Sequence, residues 1–233
     1  STVTNTDGNI SSQVRANTTA GFSIVGYSGN GSNGQTVGHG LGVAPDAIIL
    51  KARGASQNWR VWHKSLAADG SKRLLLDSTN ASEDASFLND TAPTSTVFTL
   101  GNSDDAWNAS GGTYITYLFS EVAGYSKFGS YTGNGNADGT FVFTGFRPAF
   151  IITKRSDGTS PWRLFDNKRP DANFQTYKLE ADSSGAELTG YAYADFLSIG
   201  FKIRDSGSYQ NASGGTYIYL CFAESPFKNA RAR

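Results

Sequence analysis

The sequence predicts an all-β protein of two tandem, structurally similar antiparallel β-sandwiches, jelly-roll-like in layout. Three observations predict it. Strand-like apolar runs recur along the chain, each bounded by Gly, Asn, Asp, Pro or Ser. No stretch keeps the i, i+3, i+4 apolar spacing of a helix across three turns. And the octapeptide "NASGGTYI" at 108–115 returns unchanged at 211–218.

The repeat sets the domain organisation. At the same offset of 103 residues, "PDAIILKAR" from Pro45 falls on "PAFIITKRS" from Pro148, and Trp59-Arg60 falls on Trp162-Arg163. "AGFSIVG" from Ala20 falls on "AGYSKFG" from Ala123, and after a one-residue insertion "YSGNG" from Tyr27 meets "YTGNG" from Tyr131. A repeat of about 100 residues is whole-domain duplication rather than a solenoid. The expected division is a polar linker or arm at 1–19, a first sandwich at 20–123 and a second at 124–233. The arm, "STVTNTDGNISSQVRANTT", has too few large apolar side chains to fold alone. No Pro/Ser-rich spacer stands at the junction, so the two copies are expected to share a fixed relation.

The strands follow in order: "AIILKAR", "NWRVWHK", "RLLLDS", "VFTLG" and "TYITYLFSEV", then "FVFTGF", "AFIITKR", "WRLFD", "FLSIGFKI" and "TYIYLCFAE". "SEDASFL" is the best helical candidate and it is short. In the repeated octapeptide, "SGG" supplies residues that tolerate positive φ, and the Asn side chain bonds nearby backbone to hold the turn. "TYI" then opens a strand expected to be apolar on both faces.

Composition excludes several functions. Lys plus Arg equals Asp plus Glu, so the net charge is zero and no basic footprint for nucleic acid exists. No apolar run approaches the ~18 residues of a membrane span. The absence of Met suggests processing or a fragment, and the start lacks the features of a signal peptide. Cys221 stands alone inside "TYIYLCFAE", which reads as a packed thiol.

Taken together, "GYSGNG…GQTVGHGLGVAPDAIILKAR…WRVWHKSL" with "NASGGTYITYLFSEVAGYSKFGSYTGNG", and "GFRPAFIITKRSDG…WRLFDNKRP…FLSIGFKIRDS…NASGGTYIYLCFAESPFKNARAR", resemble a repeated C-terminal domain of bacteriophage tail fibre and other virion structural proteins from marine and environmental phages. The resemblance covers Gly21 to Arg233. It implies a virion-surface location and host recognition, with other tail subunits as partners and a trimer as the natural assembly. It brings no catalytic or binding residues with it.

The residues themselves are read for glycan binding, which needs a flat aromatic ring beside hydroxyl-pairing groups. "SDDAWNASGG" places Trp107 in a turn beside Asp104, Asp105 and Asn108, and its counterpart "DSGSYQNASGG" carries Tyr209. Trp107 either faces solvent as a platform or caps the end of the sandwich. In "NWRVWHKSL", alternation sends Trp59, Val61 and His63 to one face and Arg60, Trp62 and Lys64 to the other. Trp59 and Trp162 are assigned to core; Trp62 with Arg60 is the second candidate platform, with core the competing reading. Asp166, Asn167, Lys168 and Arg169 form a polar cluster that either binds a carboxylated sugar or is a solvated turn.

Catalytic and cofactor chemistry finds little footing. Glu121 and Glu224 recur one per copy, as do Lys51 and Lys154, which reads as a structural ion pair. His39 and His63 lack histidine counterparts, and no nucleophile-elbow or zinc-protease motif occurs. The expectation is therefore a non-enzymatic, carbohydrate-binding, lectin-like module of the virion surface, without metal or cofactor, recognising cell-surface glycan and binding neither nucleic acid nor membrane. The alternatives are a purely structural decoration module and, behind it, a polysaccharide depolymerase.

Overall fold

The computed structural model describes residues 1–169 and 174–225. The chain divides into two compact units. The first comprises Ser1–Leu76 and Ser82–Glu121; the second comprises Asp77–Ala81 and the chain from Val122 onward. The expected end of the second sandwich at Arg233 lies outside the described residues.

The first unit contains β1 (Val3–Asn5), β2 (Ser12–Asn17), β3 (Phe22–Ser28), β4 (Gln35–Gly38), β5 (Ala47–Ala52), β6 (Arg60–His63), β7 (Lys72–Leu75), β8 (Glu83–Asp84), β9 (Val97–Leu100) and β10 (Thr113–Phe119). One sheet runs β1-β2-β3-β10-β5-β6-β7-β8, and β4 pairs β9 in another. The second unit contains β11 (Ser126–Thr132), β12 (Phe141–Phe143), β13 (Pro148–Arg155), β14 (Arg163–Asp166), β15 (Phe174–Gln175), β16 (Leu179–Glu180), β17 (Ala194–Leu197), β18 (Gly200–Ile203) and β19 (Thr216–Ala223). Its sheets run β11-β19-β13-β14-β16 and β12-β18-β17-β15. Every strand pair is antiparallel. The fold is all-β and sandwich-like, and the central order β3-β10-β5-β6 recurs as β11-β19-β13-β14. "SEDASFL" yields only a single 3-10 turn, Ser86–Leu88.

Each unit has its own core. Val25, Tyr27, Ile48, Leu50, Phe98, Tyr114 and Leu118 meet in the first; Phe165, Phe196, Phe201, Tyr217, Tyr219 and Cys221 meet in the second. Burial pushes the Cys221 thiol far above its ordinary pKa, so it stays protonated and inert. The central strands differ. β19 is buried on both faces over Tyr217–Cys221, whereas β10 buries only Tyr114, Thr116 and Leu118, correcting the two-faced expectation for the first copy.

The amino-terminal arm is a further correction. Residues 1–19 supply β1 and β2 to the first sheet, with Val14 1 % exposed and Ile10 7 % exposed in the core. Few apolar side chains suffice because the segment adds to an existing edge, and the Ile10 N–H donates to the Thr36 carbonyl at 2.9 Å. Asn9 N–H and Ser12 Oγ bond Thr36 Oγ1 and the Gly38 carbonyl, so residues 9–12 cover β4. The matching strand β12 has no such cover among the described residues. Phe141 and Phe143, the register equivalents of Thr36 and Gly38, are 43 % and 62 % exposed at the sheet edge.

The repeated octapeptide proves to be a clip at one end of each sandwich. Asn108 is fully buried; its Oδ1 accepts from Asn30 N–H at 3.2 Å and its Nδ2 donates to the carbonyls of Ser32 (2.7 Å) and Gly101 (3.3 Å). Asn211 repeats this with Asn134 N–H at 2.9 Å and the Asn136 carbonyl at 2.7 Å. Tyr27 stacks on Tyr114 at 5.1 Å and donates to the Trp107 carbonyl at 2.7 Å. Tyr131 stacks on Tyr217 at 5.0 Å and donates to the Gln210 carbonyl at 2.9 Å. The strand that enters the clip runs so close that a Cβ on Gly29 or Gly133 would sit 2.6 or 2.2 Å from the carbonyl of Ala109 or Ala212. Glycine is therefore required in both "GNG" turns.

Asn211→Ala would leave the part-buried Asn134 N–H and Asn136 carbonyl without their side-chain partner. The expected cost is about 2–4 kcal/mol, read by urea denaturation as a loss confined to the second unit, while Asn211→Asp at high pH fares no better because its carboxylate cannot donate.

Candidate functional site

The structure seals both candidate indoles. Trp107 is 4 % exposed, its Nε1 donating to the Asn102 carbonyl at 3.1 Å. The guanidinium groups of Arg60 and Arg73 lie over its ring at 5.8 and 5.3 Å, and Phe87 packs at 5.8 Å. Trp62 is 3 % exposed and donates to the Ala67 carbonyl at 3.1 Å. The alternation along β6 holds, but its sides are reversed: Trp62 joins the core while Trp59 lies half-buried on the other face, against Tyr117 at 6.4 Å. Periodicity alone carries no sign to say which face is inner. Trp162 is core, as expected.

The remaining first-copy candidates are structural or isolated. Arg60 and Asn108 are buried. Asp104 Oδ1 accepts the Ala106 N–H at 2.7 Å and holds the turn. Asp105 alone is exposed. In the second copy, Asp166 and Arg169 close on each other at 2.7 Å, with Glu187 at 2.6 Å from Arg169. Backbone N–H groups of Lys168 and Arg169 and the Arg169 guanidinium hold the Asp166 carboxyl below its ordinary pKa despite burial. Glu121 pairs with Lys64 at 2.7 Å and Glu224 with Arg147 at 3.0 Å, so neither uses the repeated lysines.

Tyr209 is the exception. It sits on the short helical turn Ser208–Asn211, 52 % exposed, with the Arg163 guanidinium 5.3 Å from its ring centre. Arg163 opens β14, is 4 % exposed and donates from Nη1 to Asp205 Oδ2 at 3.0 Å and Gln210 Oε1 at 2.8 Å. The same guanidinium lies 5.7 Å from the ring of Tyr193, which also has the Lys178 ammonium at 5.2 Å, itself paired with Glu180 at 2.9 Å. Tyr191 stands 6.3 Å from Tyr193 and is 73 % exposed. Burial pushes the Tyr193 hydroxyl up, so it is a neutral donor near pH 7.

The cluster therefore holds three tyrosine rings, two of them open to water, around one fixed arginine and two carboxylates. Sequence reasoning reached Tyr209 but missed Tyr191, Tyr193, Arg163 and Asp205. The signal was present in "TGYAYADF", where tyrosines alternate after Gly190 at φ 100°. In the first unit the Gln210 position holds Trp107, whose indole occupies the space beside the arginine.

The buried Lys154 needs its own account. Lys154 is 1 % exposed and donates to the carbonyls of Thr79 (3.1 Å) and Arg155 (3.0 Å). Burial pulls its pKa down to about 8, against the smaller upward pull of Asp182. Between that value and the ~10.4 of an unfolded lysine, the unfolded chain binds more protons, so stability rises with pH. From about pH 7 to about pH 9.5 this group contributes a gain of about 2 kcal/mol, measured by urea midpoint, and Lys154→Met is expected to abolish it.

A family model described as a domain of unknown function (DUF7483) matches residues 1–226. No curated protein and no solved structure matches the chain.

Proposed function

The chain belongs to the DUF7483 family, and from that footing we propose that it is a carbohydrate-binding, lectin-like recognition module that binds through the tyrosine–arginine cluster of its second unit. The observation that carries the reading is the open ring of Tyr209 over Arg163, with Tyr191 exposed alongside. A sugar presents apolar C–H faces and a rim of hydroxyls. Tyrosine covers the face with little conformational entropy to lose, and its hydroxyl serves the rim. Arg163, already fixed by Asp205 and Gln210, needs no ordering on binding. The cluster replaces the tryptophan platforms that the sequence suggested, and it lies in one unit only, so avidity comes from assembly of several chains. Its setting in this proposal is the surface of a phage tail or fibre, with cell-surface glycan as the partner.

A structural decoration role has one observation in its favour. Phe141, Phe143 and Ile199 leave an apolar strip at the edge of the β12 sheet, the kind of surface that another protein covers.

The test is a glycan array probed with the purified chain. Tyr209→Ala and Tyr191→Ala are expected each to weaken the best hits about three- to ten-fold without altering thermal stability. An array without hits, or hits indifferent to both substitutions, leaves the decoration role in its place.

A further inference from the structure

The two clips are built alike, but the turn facing them is furnished differently. In the second unit Arg155 ends β13 and Asp157 stands in the turn after it. Arg155 Nε donates to Asp157 Oδ1 at 2.7 Å, its Nη1 reaches the Ser208 carbonyl at 3.4 Å, and Asp157 Oδ2 accepts the Thr216 N–H at 3.0 Å. The guanidinium lies so close to the turn that a Cβ on Gly158 would stand 2.7 Å from Nε. An arginine–aspartate pair thus fills the space between the turn and the clip.

In the first unit the repeat places Ala52, Gly54 and Ala55 at the positions of Arg155, Asp157 and Gly158. The backbone frame is retained. Arg53 N–H bonds the Thr113 carbonyl at 2.8 Å as Ser156 N–H bonds that of Thr216 at 2.9 Å. Tyr114 Oη receives the Ala109 N–H at 2.9 Å as Tyr217 Oη receives that of Ala212 at 2.8 Å. What the frame lacks is both charged side chains, and a cavity of about 340 Å³ lies there, lined by Ala52, Gly54, Asp105, Ser110, Thr113 and Tyr114. Asp105 stands at the position of Ser208, whose carbonyl receives the Arg155 guanidinium. Its carboxylate has no ion pair among the described residues.

We propose that this cavity binds a small cation, a guanidinium or primary ammonium group with a hydrogen-bond acceptor beside it, in the place that Arg155 and Asp157 fill in the second unit. Asp105 faces the ligand's cation, the hydroxyls of Ser110 and Thr113 supply polar contacts, and the Thr113 N–H takes the acceptor, as that of Thr216 takes Asp157. The walls are glycine and alanine with one buried tyrosine, so recognition is by charge and hydrogen bonds rather than by stacking. The site lies in the first unit and makes no use of the tyrosine cluster. Because Asp105 is exposed, binding is weak and salt-dependent, in the ~millimolar range of a single screened ion pair.

The experiment is an amide chemical-shift titration of the full chain with L-arginine and with glucosamine, beside the neutral analogues L-citrulline and glucose. Shifts at Gly54 and Ser110–Thr113 with arginine, glucosamine or both support the site, and the responding probe says whether a guanidinium or an amino sugar is its ligand. Ala52→Arg, which gives the first unit the residue that the second carries, is expected to abolish the response. Asp105→Asn is expected to weaken it about ten-fold, with the remaining amide spectrum unchanged in both. No shift with either cation, an equal response to citrulline or glucose, or a response that survives Asp105→Asn overturns the proposal. Hits on a glycan array that depend on Tyr209 bear on the other site alone.

Discussion

A buried asparagine closes one end of each sandwich, and the polar geometry of both units depends on it. Asn108 and Asn211 each satisfy backbone groups from the incoming "GNG" turn that no strand partner reaches. An amide buried without those bonds would cost more than most side-chain contacts return. Hydroxyls of stacked tyrosines bind the neighbouring carbonyls, so the turn is fixed at several atoms at once. Everything that protrudes from that end inherits its position from this fixture, including Asp105 in the first unit and Tyr209 in the second.

On a shared frame, the two units differ by what a few positions hold. Trp107 is replaced by Gln210, and the arginine that an indole covers in one unit is flanked in the other by the buried ring of Tyr193 and the water-facing ring of Tyr209. Ala52 is replaced by Arg155, and a cavity in one unit is a filled ion pair in the other. The Arg155–Asp157 pair is partly exposed, so solvent screens it and its contribution to folding is small. The Ala52/Arg155 position lies at this rim and varies without disturbing the core, whereas Trp107 and Gln210 are both buried and their exchange repacks the end of the sandwich.

The strands and the fold class were legible in the sequence because alternation and turn residues are local signals. The clip was legible too, since "NASGG" names both its buried amide and its glycines. Four things were not. Residues 1–19 read as a polar arm because an edge strand draws its stability from its neighbour's backbone, which composition does not record. The inner face of β6 was reversed because Trp62 and Trp59 are equally apolar and alternation does not say which of the two faces the core. Trp107 was misjudged because a glycine-rich neighbourhood suggests exposure, whereas here Arg60 and Arg73 lie over the ring. The tyrosine cluster joins residues from 163 to 210, a span that no motif search bridges.

Asp77–Ala81 belongs by its packing to the second unit, although it is encoded inside the first. The carbonyl of Thr79 receives both the Lys154 ammonium and the Ser160 N–H. The halves of the gene are consequently not the halves of the molecule. A clone that begins at Val122 would bring the ammonium without this acceptor, and one that stops at Glu121 would carry a strap with nothing to fasten, so the interleaving binds the inheritance of the two copies together.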